Sequence, residues 1–228
     1  MKYNETSKIV TLYSKEFGKI SCIAKGARSA KNKFGSSMEP LTHSLVVLYK
    51  KEHRDLHLIS QCDTLKTFKN IGKDLDLLTI GFAIAEFLYH IAHNEERNEL
   101  LFNLIIESLN ALDAKPKTPM IHLHTFRLRT AILFGYSPAL NFCAVCGKEL
   151  LGGIGEYRYV FQIAHGAVFC NTCMSPEGTS SAGLSSQQVM ASVSAPALQI
   201  LRRCSTSAML SLNSLVVDQK VGNELAEV

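Results

Sequence analysis

Two Cys-x-x-Cys pairs, Cys143-Ala144-Val145-Cys146 and Cys170-Asn171-Thr172-Cys173, stand 23 residues apart in a chain of 228. Two intervening residues let both sulfurs of a pair turn toward one point, and two such knuckles supply a tetrahedral donor set. Four thiolates at about 2.3 Å suit Zn²⁺ in a closed, structural site with no open position for chemistry. Gly147 follows the second cysteine and permits the tight turn a knuckle needs. Between the pairs, 157–161 and 167–169 read as a small hairpin about Gly166, the content of a zinc ribbon. One structural Zn²⁺ on Cys143, Cys146, Cys170 and Cys173 is therefore expected, and its removal should unfold that lobe. An iron–sulfur cluster also takes four cysteines, and a thiol oxidoreductase would use the same pairs in another way. Cys22, Cys62 and Cys204 stand alone in apolar surroundings and read as core residues.

The rest of the chain has two characters. From Ser7 to about Phe68 the apolar runs are short and β-like: 9–13, 20–24, 45–49 and 56–59, separated by turn residues as in a small barrel. After Lys73 the period becomes helical, with segments near 75–89, 96–112 and 120–134. Gly135-Tyr136-Ser137-Pro138 stops the third. A Gly/Ser/Pro-rich link, SPEGTSSAG, leads to a weaker helical pattern from about Ser185. The expected organisation is α+β: an OB-fold-like β-barrel over 1–72, then an α-helical domain over 73–228 carrying the zinc module at 141–174.

Charge follows the same division. Residues 1–73 carry 14 Lys/Arg against 6 Asp/Glu, a net of +8, whereas the remainder is net −4. A polyanionic partner is thus expected on the N-terminal part. The stretch AKGARSAKNKFG, residues 24–35, concentrates this charge at the exit of the second strand. Lys19, Lys25, Arg28, Lys31 and Lys33 are the candidate phosphate contacts and Phe34 the candidate stacking surface, the pairing by which OB-folds hold single strands. Arg127 and Arg129, on the third helical segment, are secondary candidates.

Other classes find less support. No residue pattern gives a phosphate loop, a dinucleotide fingerprint or a nucleophile elbow. None of the eight histidines falls in H-E-x-x-H, and His122 and His124 are two apart, on different faces of a helix. Binding rather than catalysis is expected, with no small-molecule substrate. No secretory leader is visible, and the most apolar segment, 75–91, is broken by Asp76, Glu86 and His90, so a cytosolic location without membrane contact is expected.

Several stretches occur together in one known family. Glu5-Thr6-Ser7-Lys8-Ile9-Val10-Thr11-Leu12, Gly18-Lys19, Ala24-Lys25-Gly26-Ala27-Arg28, Lys33-Phe34-Gly35, Glu39-Pro40, Phe126-Arg127-Leu128, Gly135–Pro138 and the doubled Cys-x-x-Cys resemble, in order, the bacterial RecO recombination mediators. The resemblance spans about 3–174. It implies an OB-fold followed by a helical domain with a zinc-binding insert. It also implies binding of single- and double-stranded DNA, annealing of complementary strands and contact with the C-terminal tail of single-stranded DNA-binding protein. Loading of RecA onto gapped DNA together with RecR, near the nucleoid in the bacterial cytoplasm, belongs to the same implication. RecO-like chains carry a further barrel strand before the Tyr-x-Glu-Thr segment, whereas Met1-Lys2-Tyr3 opens this one. Either the start is truncated or misassigned, or the barrel is completed differently; a barrel without that strand would expose open edges, and reduced stability or pairing of an edge with another chain is then expected. A zinc-ribbon RNA-binding adaptor of transcription or translation is the alternative that shares the basic barrel and the metal.

Overall fold

A computed structural model describes residues 6–29, 32–50, 54–151, 157–174 and 190–228. Lys31, Met1–Tyr3 and the SPEGTSSAG link, all singled out above, lie outside the described residues. The chain divides into two compact units, Met1–Lys115 and Pro116–Val228.

The first unit holds strands β1 (Lys8–Ser14), β2 (Gly18–Ala24), β3 (Thr42–Tyr49) and β4 (His57–Thr67), then helices α1 (Leu75–Ile91) and α2 (Glu99–Asp113). The sheet order is β1-β2-β4-β3. β1 and β3 pair antiparallel with their neighbours, while β2 and β4 meet in parallel at Cys22/His57 and Ile23/Leu58. This order, with one parallel contact among antiparallel ones, is OB-like. Alternation in β2 buries Ile20, Cys22 and Ala24, which pack with Phe34, Ile59 and Cys62. Cys22 and Cys62 are thus core residues, as their apolar surroundings suggest. β4 runs well past the apolar run at 56–59, into the exposed and mostly polar 63–67. Two register shifts against β3, at His43/Ser44 and Val47/Leu48, accompany that extension.

The helices begin where their side-chain chemistry dictates. The Asp74 carboxylate accepts from the Asp76 and Leu77 amides, and the Asn98 side chain accepts from the Leu101 amide, satisfying donors that a helix start leaves open. At the entrance to β2, Gly18 has φ +62°, and a Cβ there would lie 1.9 Å from the Glu96 carbonyl oxygen. Only glycine lets those two backbones approach so closely.

The second unit holds α3 (Met120–Leu133), β5 (Arg158–Gln162), β6 (Ala167–Cys170), the short α4 (Asn171–Met174), β7 (Met190–Ser194), α5 (Ala195–Thr206) and α6 (Gln219–Glu227). β5 and β6 form the hairpin expected about Gly166, which has φ +57°. β7 adds to the other side of β5, giving the order β6-β5-β7. It falls where the sequence pattern suggested helix. Among the described residues no helix is long and apolar enough to cross a membrane.

Candidate metal centre and nucleic-acid interface

The two Cys-x-x-Cys pairs converge. The sulfurs of Cys143, Cys146, Cys170 and Cys173 all lie within 4.8 Å of one another, and none is in a disulfide. Cys143 sits on the first knuckle, where its amide donates to the Lys148 carbonyl (2.8 Å) and the Gly147 amide returns to the Cys143 carbonyl (2.9 Å). Gly147 takes φ +68° to close that turn. The second pair spans the end of β6 and the single turn of α4, so the hairpin itself delivers it. The Ala144 amide donates to the Val168 carbonyl at 3.1 Å and ties knuckle to hairpin.

The donor set fits a cation. The Cys146 and Cys170 sulfurs are 3.8 Å apart, and a tetrahedron with metal–sulfur bonds of about 2.3 Å has edges of about 3.8 Å. Burial opposes ionisation of Cys143, yet the backbone amides of Cys146, Cys170 and Val145 outweigh it and bring that thiol down to about 6. Hydrogen bonding to Cys170 and Cys146 pushes Cys173 up to about 12. Four thiolates this close repel one another, and a divalent cation removes that repulsion. The cluster can therefore hold a metal ion.

Arg202 of α5 supports the first knuckle from outside. Its guanidinium donates to the Leu140 carbonyl from Nε (3.1 Å) and Nη2 (2.7 Å), and from Nη2 to the Leu150 carbonyl (2.8 Å). The two carbonyls bracket the knuckle. Nothing in the local sequence marks Arg202, since its partners lie more than 50 residues away.

The cationic candidates have different fates. Lys25 and Arg28 are exposed in the turn after β2, where the Arg28 amide donates to the Thr6 carbonyl at 2.9 Å. Lys33 is exposed, with Nζ on the Ser60 carbonyl at 2.9 Å. Lys19 is half-buried: Nζ donates to the Tyr89 carbonyl at 2.8 Å and lies 4.9 Å from the Tyr89 ring centre. The reading of Phe34 as a stacking surface is corrected. At 4% exposure its ring belongs to the core under the loop and offers no free face to a base. In the second unit Arg127 is exposed on α3. Arg129 is half-buried and donates to the Cys204 and Ser207 carbonyls, serving the C-terminal end of α5.

One exposed aromatic was missed. β3 is apolar on both faces: Val46 and Leu48 point to the core, whereas Leu45, Val47 and Tyr49 are at least 49% exposed. Tyr49 pairs with Leu58 at the end of the β3–β4 ladder. The signal was present as an unbroken apolar run where a half-buried strand would alternate.

Fold and site together define an α+β protein with an OB-like N-terminal sheet, helices after it and a four-thiol centre. Family models agree on a narrower identity: Recombination protein O N terminal matches residues 1–68 and Recombination protein O C terminal matches 72–228. The DNA repair protein RecO of Thermoanaerobacter sp. (strain X514) is 32% identical over 169 residues, 74% of this chain and 65% of the relative. That of Nocardioides sp. is 35% identical over 183 residues (79% and 73%), and that of Thermodesulfovibrio yellowstonii 30% over 224 residues (98% and 84%). The chain belongs to the RecO family of DNA repair proteins. Against the first two curated relatives it spans just under two thirds of their length.

Proposed function

We propose that this chain is a recombination mediator that binds single- and double-stranded DNA through its OB-like sheet. In this reading it anneals complementary strands and, with RecR, helps load RecA onto gapped DNA. The tail of single-stranded DNA-binding protein is its further partner, and the bacterial cytoplasm its place of action. The observation that carries DNA binding is the exposure of Lys25, Arg28 and Lys33 between β2 and β3, within residues 1–73 that are net +8. Cations so placed track phosphates, and OB-like sheets add ring faces for bases. Tyr49, exposed on β3 of the same sheet, takes the stacking role that Phe34 does not fill.

The four cysteines hold one Zn²⁺ as a structural ion, fixing the hairpin against the knuckle; the donor chemistry and the tetrahedral spacing support that metal. Binding and strand alignment, not bond-making residues, are the activity.

The test is annealing of complementary oligonucleotides coated with single-stranded DNA-binding protein. Arg28→Ala with Lys33→Ala should slow annealing and lower the salt slope of single-strand binding by about 0.7 for each lost phosphate contact. Unchanged annealing and slope would refute the assignment. Preferential binding of RNA in direct competition would favour the adaptor reading.

A further inference from the structure

The four thiols of the second unit are not equivalent. Cys146 is exposed, whereas Cys143 is buried and its sulfur accepts from the Cys170 amide at 3.4 Å. Oxidants select cysteines by thiolate character and access, and ligation to a metal keeps a sulfur in its thiolate form. Attack therefore falls first on Cys146. Its sulfur lies 3.8 Å from that of Cys170, on the opposite knuckle. An exposed thiolate with a second one in reach is the arrangement in which oxidation ends in a disulfide.

Backbone hydrogen bonds, as well as the thiols, place these two cysteines. The first knuckle closes on itself: Phe142 bridges Glu149, and the Leu150 amide donates to the Asn141 carbonyl at 2.9 Å. Arg202 grips the Leu140 and Leu150 carbonyls from outside. Cys170 sits in the ladder opposite Tyr159 of β5, and β5 is paired on its other side with β7. Cys173 is placed differently, on the four residues of α4. A single turn has no helical stability of its own, so the metal completes it. When a donor is lost, Cys146 and Cys170 keep facing each other while Cys173 is free to turn away.

We propose that the four-thiol centre is a peroxide-responsive switch, in which oxidation joins Cys146 to Cys170, ends metal binding and releases α4. This rests on the zinc reading above. The Cys146 thiolate attacks hydrogen peroxide, which becomes a sulfenic acid on that sulfur and one hydroxide ion. The Cys170 thiolate then displaces a second hydroxide from the sulfenic sulfur and forms the S–S bond. Two thiolates lose two electrons in all, and the peroxide is reduced to two hydroxide ions. The disulfide takes over from the metal in tying knuckle to hairpin, so the β5–β6 pairing persists while α4 loses its anchor. A dithiol reverses the bond by exchange, and the four donors are restored. Transient disulfides of this kind are the ones a reducing compartment permits.

The experiment treats the zinc-loaded full chain with hydrogen peroxide, follows released zinc with a chromophoric indicator, and maps cysteines by mass spectrometry after blocking free thiols. Zinc release in step with a Cys146–Cys170 disulfide is expected, with Cys143 and Cys173 recovered as thiols and zinc binding regained after dithiothreitol. Buried Cys22, Cys62 and Cys204 are internal controls that should react about tenfold more slowly or less. Amide exchange should quicken in α4 and stay slow in β5 and β6, whereas a chelator should quicken exchange in the hairpin as well. No altered protein is required, so misfolding of a variant cannot decide the result. Zinc retained under peroxide, a different cysteine pair linked, or oxidation of all seven thiols at one rate would overturn the switch and leave the zinc reading standing. A reduced chain that takes up no zinc would overturn both.

Discussion

His57 Nε2 lies 2.8 Å from Glu95 Oε1, joining a buried position of β4 to the turn between α1 and α2. The imidazole is 2% exposed, and Nδ1 has no partner among the described residues, so Glu95 is its hydrogen-bonding anchor. The other carboxylate oxygen pairs with Lys50 at 2.5 Å, and the Glu95 amide donates to the Lys19 carbonyl at 2.8 Å. Glu95 adopts φ +56°, a conformation that this set of contacts enforces. Hydrogen bonds from Lys50 and then His57 hold the Glu95 carboxyl below its ordinary value. Its contribution is therefore present above the unfolded carboxylate range and lost as pH falls through the folded value. Glu95→Ala should cost about 1–3 kcal/mol by orphaning buried His57, and Glu95→Gln should recover part of that. Urea unfolding at neutral pH checks both, and the variants should converge with the parent chain in acid.

Gly18 offers a sharper steric test. A Cβ would stand 1.9 Å from the Glu96 carbonyl at φ +62°, whereas at Gly35, φ +54°, it would meet nothing within 4 Å. Gly35→Ala should therefore cost only the left-handed strain of about 1–2 kcal/mol. Gly18→Ala should cost clearly more, because backbone on both sides has to move. Equal denaturation midpoints for the two variants would contradict this reading of the α1–α2 turn.

Much of this architecture was legible because its signals are local. The strands β1 and β2, the helices α1–α3 and the four cysteines announce themselves within a few residues, through apolar period or fixed spacing. β7 did not, since five residues with only Ala191 and Val193 buried resemble the start of a helix, and its partner β5 lies some 30 residues earlier. The polar end of β4 is strand through pairing with β3, a tertiary cause with no trace in its own composition. Phe34 and Arg129 misled for one reason: an aromatic in a basic loop and a cation on a helix read as surface, and only distant packing partners show otherwise.

Arg202 supports the first knuckle of the four-thiol cluster without being one of its donors. Its guanidinium fixes the Leu140 and Leu150 carbonyls on either side of the first knuckle. Arg202→Ala should leave all four sulfurs in place yet lower metal affinity, by about 10–100-fold if it acts as outer-shell partners do. Arg202→Lys, with one point donor in place of a fork, should recover only part. Competition with a chromophoric chelator measures the loss. Chelation of the parent chain should unfold the β5–β6 hairpin while leaving the OB-like sheet's circular dichroism signature intact.

His122 sets an acid limit on the second unit. It is fully buried in α3, and neither ring nitrogen has a partner among the described residues. Burial first, and the nearby Arg129 charge second, lower its pKa from 6.5 to about 4. The unfolded chain therefore takes up a proton before the folded one as pH falls. Stability from this group is complete above about pH 6.5 and drains away toward pH 4, on the order of 3 kcal/mol in all. His122→Leu keeps the volume, removes both unpartnered nitrogens and should flatten that part of the curve. It should also match or exceed the parent chain at neutral pH, since no polar partner is orphaned. Denaturation midpoints for the second unit, followed from pH 4 to 7.5 in both proteins, check this. Parallel curves would mean that His122 is not the group that titrates.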